Sequence, residues 1–123
     1  AAGAANLMTL RNTSAGGSIS FEPPVNTGGN NIIETVDVNG DLKPEWITKS
    51  GQNIIIVSNN STPGNIVYGG SASYPVTGSI VSIKTAVMDS DQKPDIIACY
   101  TDNSNTYFSV FKNAGTVLIY TTP

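Results

Sequence analysis

The side chains best suited to chemistry in this 123-residue chain are gathered in two short acidic stretches. The first is Asp37-Val38-Asn39-Gly40-Asp41-Leu42-Lys43-Pro44-Glu45, with oxygen-bearing side chains at its first, third, fifth and ninth places. A tight loop turns alternate side chains inward, so Asp37, Asn39 and Asp41 can converge on one centre. The Lys43 carbonyl and the Glu45 carboxylate can complete the shell. Such hard oxygen donors suit Ca²⁺, which takes about six to eight of them. The chain has no His and one Cys, so it offers no donor set for zinc. The second stretch, Val87-Met88-Asp89-Ser90-Asp91-Gln92-Lys93-Pro94-Asp95, keeps Asp89, Asp91 and Asp95 but has Val87 in the first place. It is expected to bind weakly or not at all, and Val87→Asp to restore the missing ligand. The alternative for both stretches is that the acids are solvated turn residues, since Asp, Asn and Gly are turn formers. A fully coordinated ion would pin its loop rather than catalyse, because it leaves no open position for a substrate.

Little acid–base chemistry remains outside these stretches. Of nine acidic residues only Glu22, Glu34 and Asp102 are left over, which makes a glycosidase-type carboxylate pair hard to assemble. Cys99 lies in the apolar run Ile96-Ile97-Ala98-Cys99-Tyr100, where a buried core thiol is expected, and no His is present to activate it. No phosphate-loop or dinucleotide fingerprint occurs; Gly28-Gly29 and Gly69-Gly70 read as turns between structural units. The chain is therefore expected not to be an enzyme. Six basic residues against nine acidic ones, unclustered, argue against nucleic acid as a partner. No apolar run approaches the roughly 18 residues of a membrane span. Glycosylation sequons begin at Asn12, Asn59 and Asn60, at a frequency that chance explains as well in so Asn- and Ser-rich a chain. Trp46, Tyr68, Tyr74, Tyr100, Tyr107 and Tyr120 offer stacking surfaces, but most are expected to be packed away, with Tyr74 the most exposed.

The elements that must position the acids repeat. Asp41-Leu42-Lys43-Pro44-Glu45-Trp46-Ile47 aligns with Asp91-Gln92-Lys93-Pro94-Asp95-Ile96-Ile97, about 50 residues on. Three further runs each end at an Asn: Thr9-Leu10-Arg11-Asn12, Ile56-Val57-Ser58-Asn59 and Val110-Phe111-Lys112-Asn113. Each is followed by a polar turn and another short apolar run: Ser18-Ile19-Ser20-Phe21, Ile66-Val67-Tyr68 and Val117-Leu118-Ile119-Tyr120. β-Branched runs at Ile32–Val36 and Ile80–Val87 precede the acidic loops, and no helical stripe appears. The unit is thus strand, acidic loop, strand, tight turn, strand, Asn-led turn, strand: an all-β chain whose four antiparallel strands per repeat are the content of a propeller blade. Ala1–Asn6 aligns with Thr48–Asn53, so the chain is expected to begin inside a blade.

These features resemble the FG-GAP or VCBS-type repeat of integrin-like β-propellers, written D-x-N-G-D-G-x-P-D between two strands, and the resemblance covers most of the chain. It departs at Leu42, where Gly is usual, and at Glu45, where Asp is usual. It implies a calcium held by Asp37, Asn39, Asp41, Glu45 and the Lys43 carbonyl, and a partial blade over 1–30, a blade with an intact loop over 31–78 and one with a degraded loop over 79–123. An incomplete ring within one chain is expected to associate with copies of itself or with the remainder of a larger propeller. Family members include adhesive and lectin-like secreted proteins, so the implied role is an extracellular calcium-stabilised module that binds a glycan or a protein surface. The alternative is a scaffold segment of a larger secreted protein with no ligand site of its own.

Overall fold

Runs of β-branched residues bounded by Gly, Pro, Asn and Asp form strands throughout. The computed structural model describes residues 7–26 and 32–115. These residues build three antiparallel sheets in which neighbours in space are neighbours in the chain. The first is a ribbon of β1 (Met8–Thr9) and β2 (Val25–Asn26). The second is a meander of β3 (Ile32–Val36), β4 (Glu45–Ser50), β5 (Asn53–Asn59) and β6 (Tyr68–Pro75). The third contains β7 (Ser79–Ala86), β8 (Asp95–Asp102) and β9 (Asn105–Phe111). Among the described residues no sheet closes on itself, and no helix is long and apolar enough to cross a membrane.

The strands expected before the acidic loops appear at Ile32–Val36 and Ser79–Ala86. Several details differ from expectation. The strand read at Ile66–Tyr68 starts at Tyr68 and runs to Pro75, because Ile66 and Val67 close the preceding turn instead. A register shift between Val57 and Asn59 and a left-handed Gly70 (φ 76°) then bend the chain so that it pairs with β5 down to Asn53↔Pro75. Gly69-Gly70 are consequently part of β6, not a turn between units, and Tyr74 is half-buried against the core, not exposed in a loop. The N-terminal hairpin read at Leu7–Arg11 and Ser18–Glu22 is reduced to the β1–β2 ribbon and the single bridges Asn12↔Phe21 and Ala15↔Ser18. Cys99 is half-buried, since alternation along β8 sends Ile96, Ala98 and Tyr100 into the core and Cys99 to the other face. The readings at Ala1–Asn6, Gly28-Gly29 and Val117–Tyr120, Tyr120 included, lie outside the described residues.

One core unites the two larger sheets. Ile47, Ile54 and Ile56 from the first meander meet Ile80, Ile83, Ile96, Ala98, Tyr100 and Phe111 from the second, with Val38 and Val76 closing the cluster. Ile47, Ile54, Ile83 and Ile96 are completely buried, each contributing about 1.5–3 kcal/mol relative to an exposed side chain. The leading strands β3 and β7 lie beside each other, and Lys49 Nζ donates to the Ile80 carbonyl across the gap at 2.7 Å. Both acidic loops are thereby held at the same end of a shared core, each between the first and second strand of its sheet.

Candidate metal centre

Each acidic loop is shaped first by its own side chains. In the first, Asp37 spans the turn: one oxygen accepts from the Gly40 N–H and the other from the Leu42 N–H, both at 2.7 Å. Asn39 Oδ1 accepts from the Asp41 N–H, and Asp41 Oδ1 from the Lys43 N–H, at 2.9 Å each. These local side-chain-to-backbone bonds are the ones that Asp and Asn make readily in turns. They curl the loop until carboxylate oxygens of Asp37, Asp41 and Glu45 lie within 4.8 Å of one another. Lys43 enters this arrangement through its backbone N–H.

Glu45 differs in kind from the other acids, because it is 1% exposed. Its Oε2 accepts from the Val38 N–H at 3.0 Å and its Oε1 from the Asn59 N–H at 3.4 Å. It therefore ties the start of the loop to the end of β5. Burial pushes its pKa above the usual carboxylate range; the two backbone bonds pull it back, and the charges of Asp41 and Asp37 push the same way as burial. Asp95, also 1% exposed, repeats the arrangement, with Oδ2 on the Met88 N–H at 3.0 Å and Oδ1 on the Asn113 N–H at 2.8 Å.

The Asn residues at the strand ends carry the other half of this staple. Asn59 Nδ2 donates to the Pro44 carbonyl at 3.0 Å, and its Oδ1 accepts from the Ser61 N–H. Asn113 does the same with the Pro94 carbonyl at 3.2 Å and the Gly115 N–H. The turn after Asn12 repeats the backbone and Ser-hydroxyl bonds of the turn after Asn59. Asn12 Oδ1 accepts from Ser14 N–H, and the Ser14 hydroxyl engages Ser20 as that of Ser61 engages Val67. The sequence pattern marked these Asn residues only as ends of strands. Asn113, fully buried, also donates to the Val38 carbonyl at 2.8 Å, which ties the first loop to the second sheet. Beneath the first loop Trp46 stacks on Tyr68, with ring centroids 3.7 Å apart, and the Tyr68 hydroxyl reaches Pro44 and Asn59.

The second loop keeps the same curl without a carboxylate in its first place. Asp89 Oδ1 accepts from Asp91 N–H and Asp91 Oδ1 from Lys93 N–H, at 2.9 Å each. Leu42 and Gln92 both take left-handed backbone conformations, with φ of 67° and 63°. Among the described residues, only the first loop brings three carboxylates together. Between the loops lies a cavity of about 300 Å³, bordered by Asp37, Asn39 and Gly40 on one side and Gln92, Lys93 and Pro94 on the other. No protein-family model, curated protein or solved structure matches the chain.

Proposed function

We propose that the chain is a calcium-stabilised, propeller-type binding module of a secreted protein, with its cation in the loop from Asp37 to Glu45. The observation that carries this reading is the convergence of Asp37, Asp41 and Glu45 within 4.8 Å. Three carboxylates so close repel each other, and a cation held between them would relieve that repulsion. Asn39 Oδ1 and the backbone of Lys43 sit in the same curl, and this all-oxygen set fits Ca²⁺ better than a softer metal. Bound calcium would neutralise the carboxylates and lock the entry to β4; nothing in the role requires it to touch a substrate.

The propeller part of the reading rests on three supports: consecutive antiparallel meanders, adjacent leading strands β3 and β7, and the recurring Asn-led turns. The glycan or protein ligand is assigned to the groove between the two loops, whose volume suits a sugar ring or a short side chain. Calorimetric titration with calcium tests the metal, and Asp41→Ala is expected to remove most of the heat. At about 100 times the dissociation constant, calcium stabilises the fold by roughly 2.7 kcal/mol. Equal melting temperatures in calcium and in chelator would overturn the metal reading. A glycan array with the assembled protein separates a binding module from a scaffold, which would retain no ligand.

A further inference from the structure

We infer that the second loop carries its own cation: the ammonium of Lys112 takes the place of a metal ion, so that this loop folds without calcium with its acidic charge partly offset. The inference rests on the calcium reading of the first loop for its contrast and on separate residues for its substance. Lys112 Nζ lies 2.6 Å from Asp89 Oδ2. Asp89 corresponds to Asn39, because each accepts from the N–H two residues on and each sits between the same backbone anchors. Lys112 corresponds to Ser58, because each precedes the Asn that closes the staple on its sheet. Each loop carries three acids, but they are placed differently: the first has Asp37 in its first place and neutral Asn39 in its third, and the second has Val87 in its first place and Asp89 in its third. The first loop has Ser58 where the second has Lys112, and Lys112 pairs with the added acid Asp89. The charges of Asp91 and Asp95 act on Lys112 in the same sense as that of Asp89. The two loops are alternative solutions of one electrostatic problem, one completed from solution and one from the chain.

This changes the expected effect of restoring the first ligand. Val87→Asp alone leaves the ammonium paired with Asp89, so it adds no strong site; the ammonium must leave as well. Calcium alone is titrated by calorimetry into the wild-type chain, Val87→Asp, and Val87→Asp/Lys112→Ser. The double variant is expected to bind one more ion than the wild type, and the single variant to bind that ion at least about tenfold more weakly. The converse variant, Ser58→Lys, is expected to weaken calcium at the first loop by about tenfold or more and to keep its melting temperature in chelator. Circular dichroism confirms that each variant folds. A double variant that folds and gains no ion overturns the inference, as does a single variant that matches the double, or a Ser58→Lys chain that binds calcium as the wild type does. If the wild type binds no ion at all, the reading of the first loop fails. The inference then stands or falls on whether the double variant gains one.

Discussion

At the residue scale, the loops show which backbone positions are strained. Leu42 and Gln92 occupy matching places in the two loops, and both sit at positive φ. A left-handed conformation costs a side-chain-bearing residue about 1–2 kcal/mol, and Leu42 is 91% exposed, so packing returns nothing. Leu42→Gly is expected to stabilise the chain by about 0.5–1 kcal/mol after the greater freedom of unfolded Gly is set against the relieved strain. Urea unfolding in chelator measures it, and an unchanged midpoint would show that the loop carries no strain. The staple acids predict the opposite sign. Asp95→Ala strands the buried N–H of Asn113 at about 1–3 kcal/mol and also removes the bond to the part-buried N–H of Met88. The loss should be the same with and without calcium, unlike that of Asp41→Ala. The ion pair of Asp89 with Lys112 predicts a pH dependence. The hydrogen bond from Lys112 is the largest cause that lowers the Asp89 pKa, to about 2. A carboxylate depressed on folding adds stability above its unfolded value, near 3.8, and that contribution is lost as pH falls through the folded value near 2. Lys112→Met should therefore flatten the acid limb of the stability curve between those values. A limb identical to the wild type's would show that the pair does not form in solution.

At the element scale, the strands next to the acidic loops were legible because β-branched residues such as Ile32, Ile33 and Val36 stop abruptly at Asp37, and the Lys-Pro-acid ending marks where the next strand begins. The Asn of each turn was legible as punctuation but not as a staple. Its bonds reach Pro44 and Pro94 from residues 15 and 19 positions away, and the tie from Asn113 to Val38 spans 75. No local pattern encodes such distances. Lys112 was invisible for the same reason, since its partner Asp89 sits on the far side of β8 in the chain. The displaced start of β6 and the burial of Tyr74 followed from pairing with β5, a tertiary choice that Gly69-Gly70 hid by looking like a turn. Gly78 shows a constraint of the same long-range kind. Its φ is ordinary, yet a Cβ there would collide with the Thr101 carbonyl and the Asp102 nitrogen of β8. Backbone does not yield as a flexible side chain does, so Gly78→Ala is expected to cost about 2 kcal/mol or more by forcing the start of β7 away from its partner. Thermal unfolding measures the loss. A variant within about 0.5 kcal/mol of the wild type would mean that the close approach relaxes at no cost.

At the scale of the whole molecule, the two sheets that share a core contrast with the apolar surface left outside it. Ile47, Ile54, Ile83 and Ile96 are completely buried where the sheets face each other. On the N-terminal segment, by contrast, Ile19 is 83% exposed, and Met8, Leu10, Phe21 and Val25 are exposed with it; on β9, Phe108 is 73% exposed. Leu42, Val81, Val87 and Met88 are exposed between them, but the larger clusters lie on the N-terminal segment and β9, where a neighbouring sheet would cover them. At about 25 cal/mol per Å², a few hundred Å² of wetted apolar surface costs several kcal/mol, comparable with the whole stability of a small domain. Association that buries both segments recovers that free energy, to which the half-exposed Arg11–Glu22 ion pair, at 2.7 Å, adds little. The chain is expected to associate in solution, with copies of itself when no other partner is supplied. Light scattering over a dilution series should give a mass above that of one chain. Ile19→Asp and Phe108→Asp should each shift the distribution toward the monomer, because a charge on either face must be desolvated to pack. Calcium should affect the melting of the assembled form and of the dissociated variants alike, since the loop at Asp37 lies within the shared core's own end and not on either open face. A wild-type chain that remains monomeric at every concentration and melts in one cooperative step would remove the assembly, and with it the proposal that these sheets belong to a propeller.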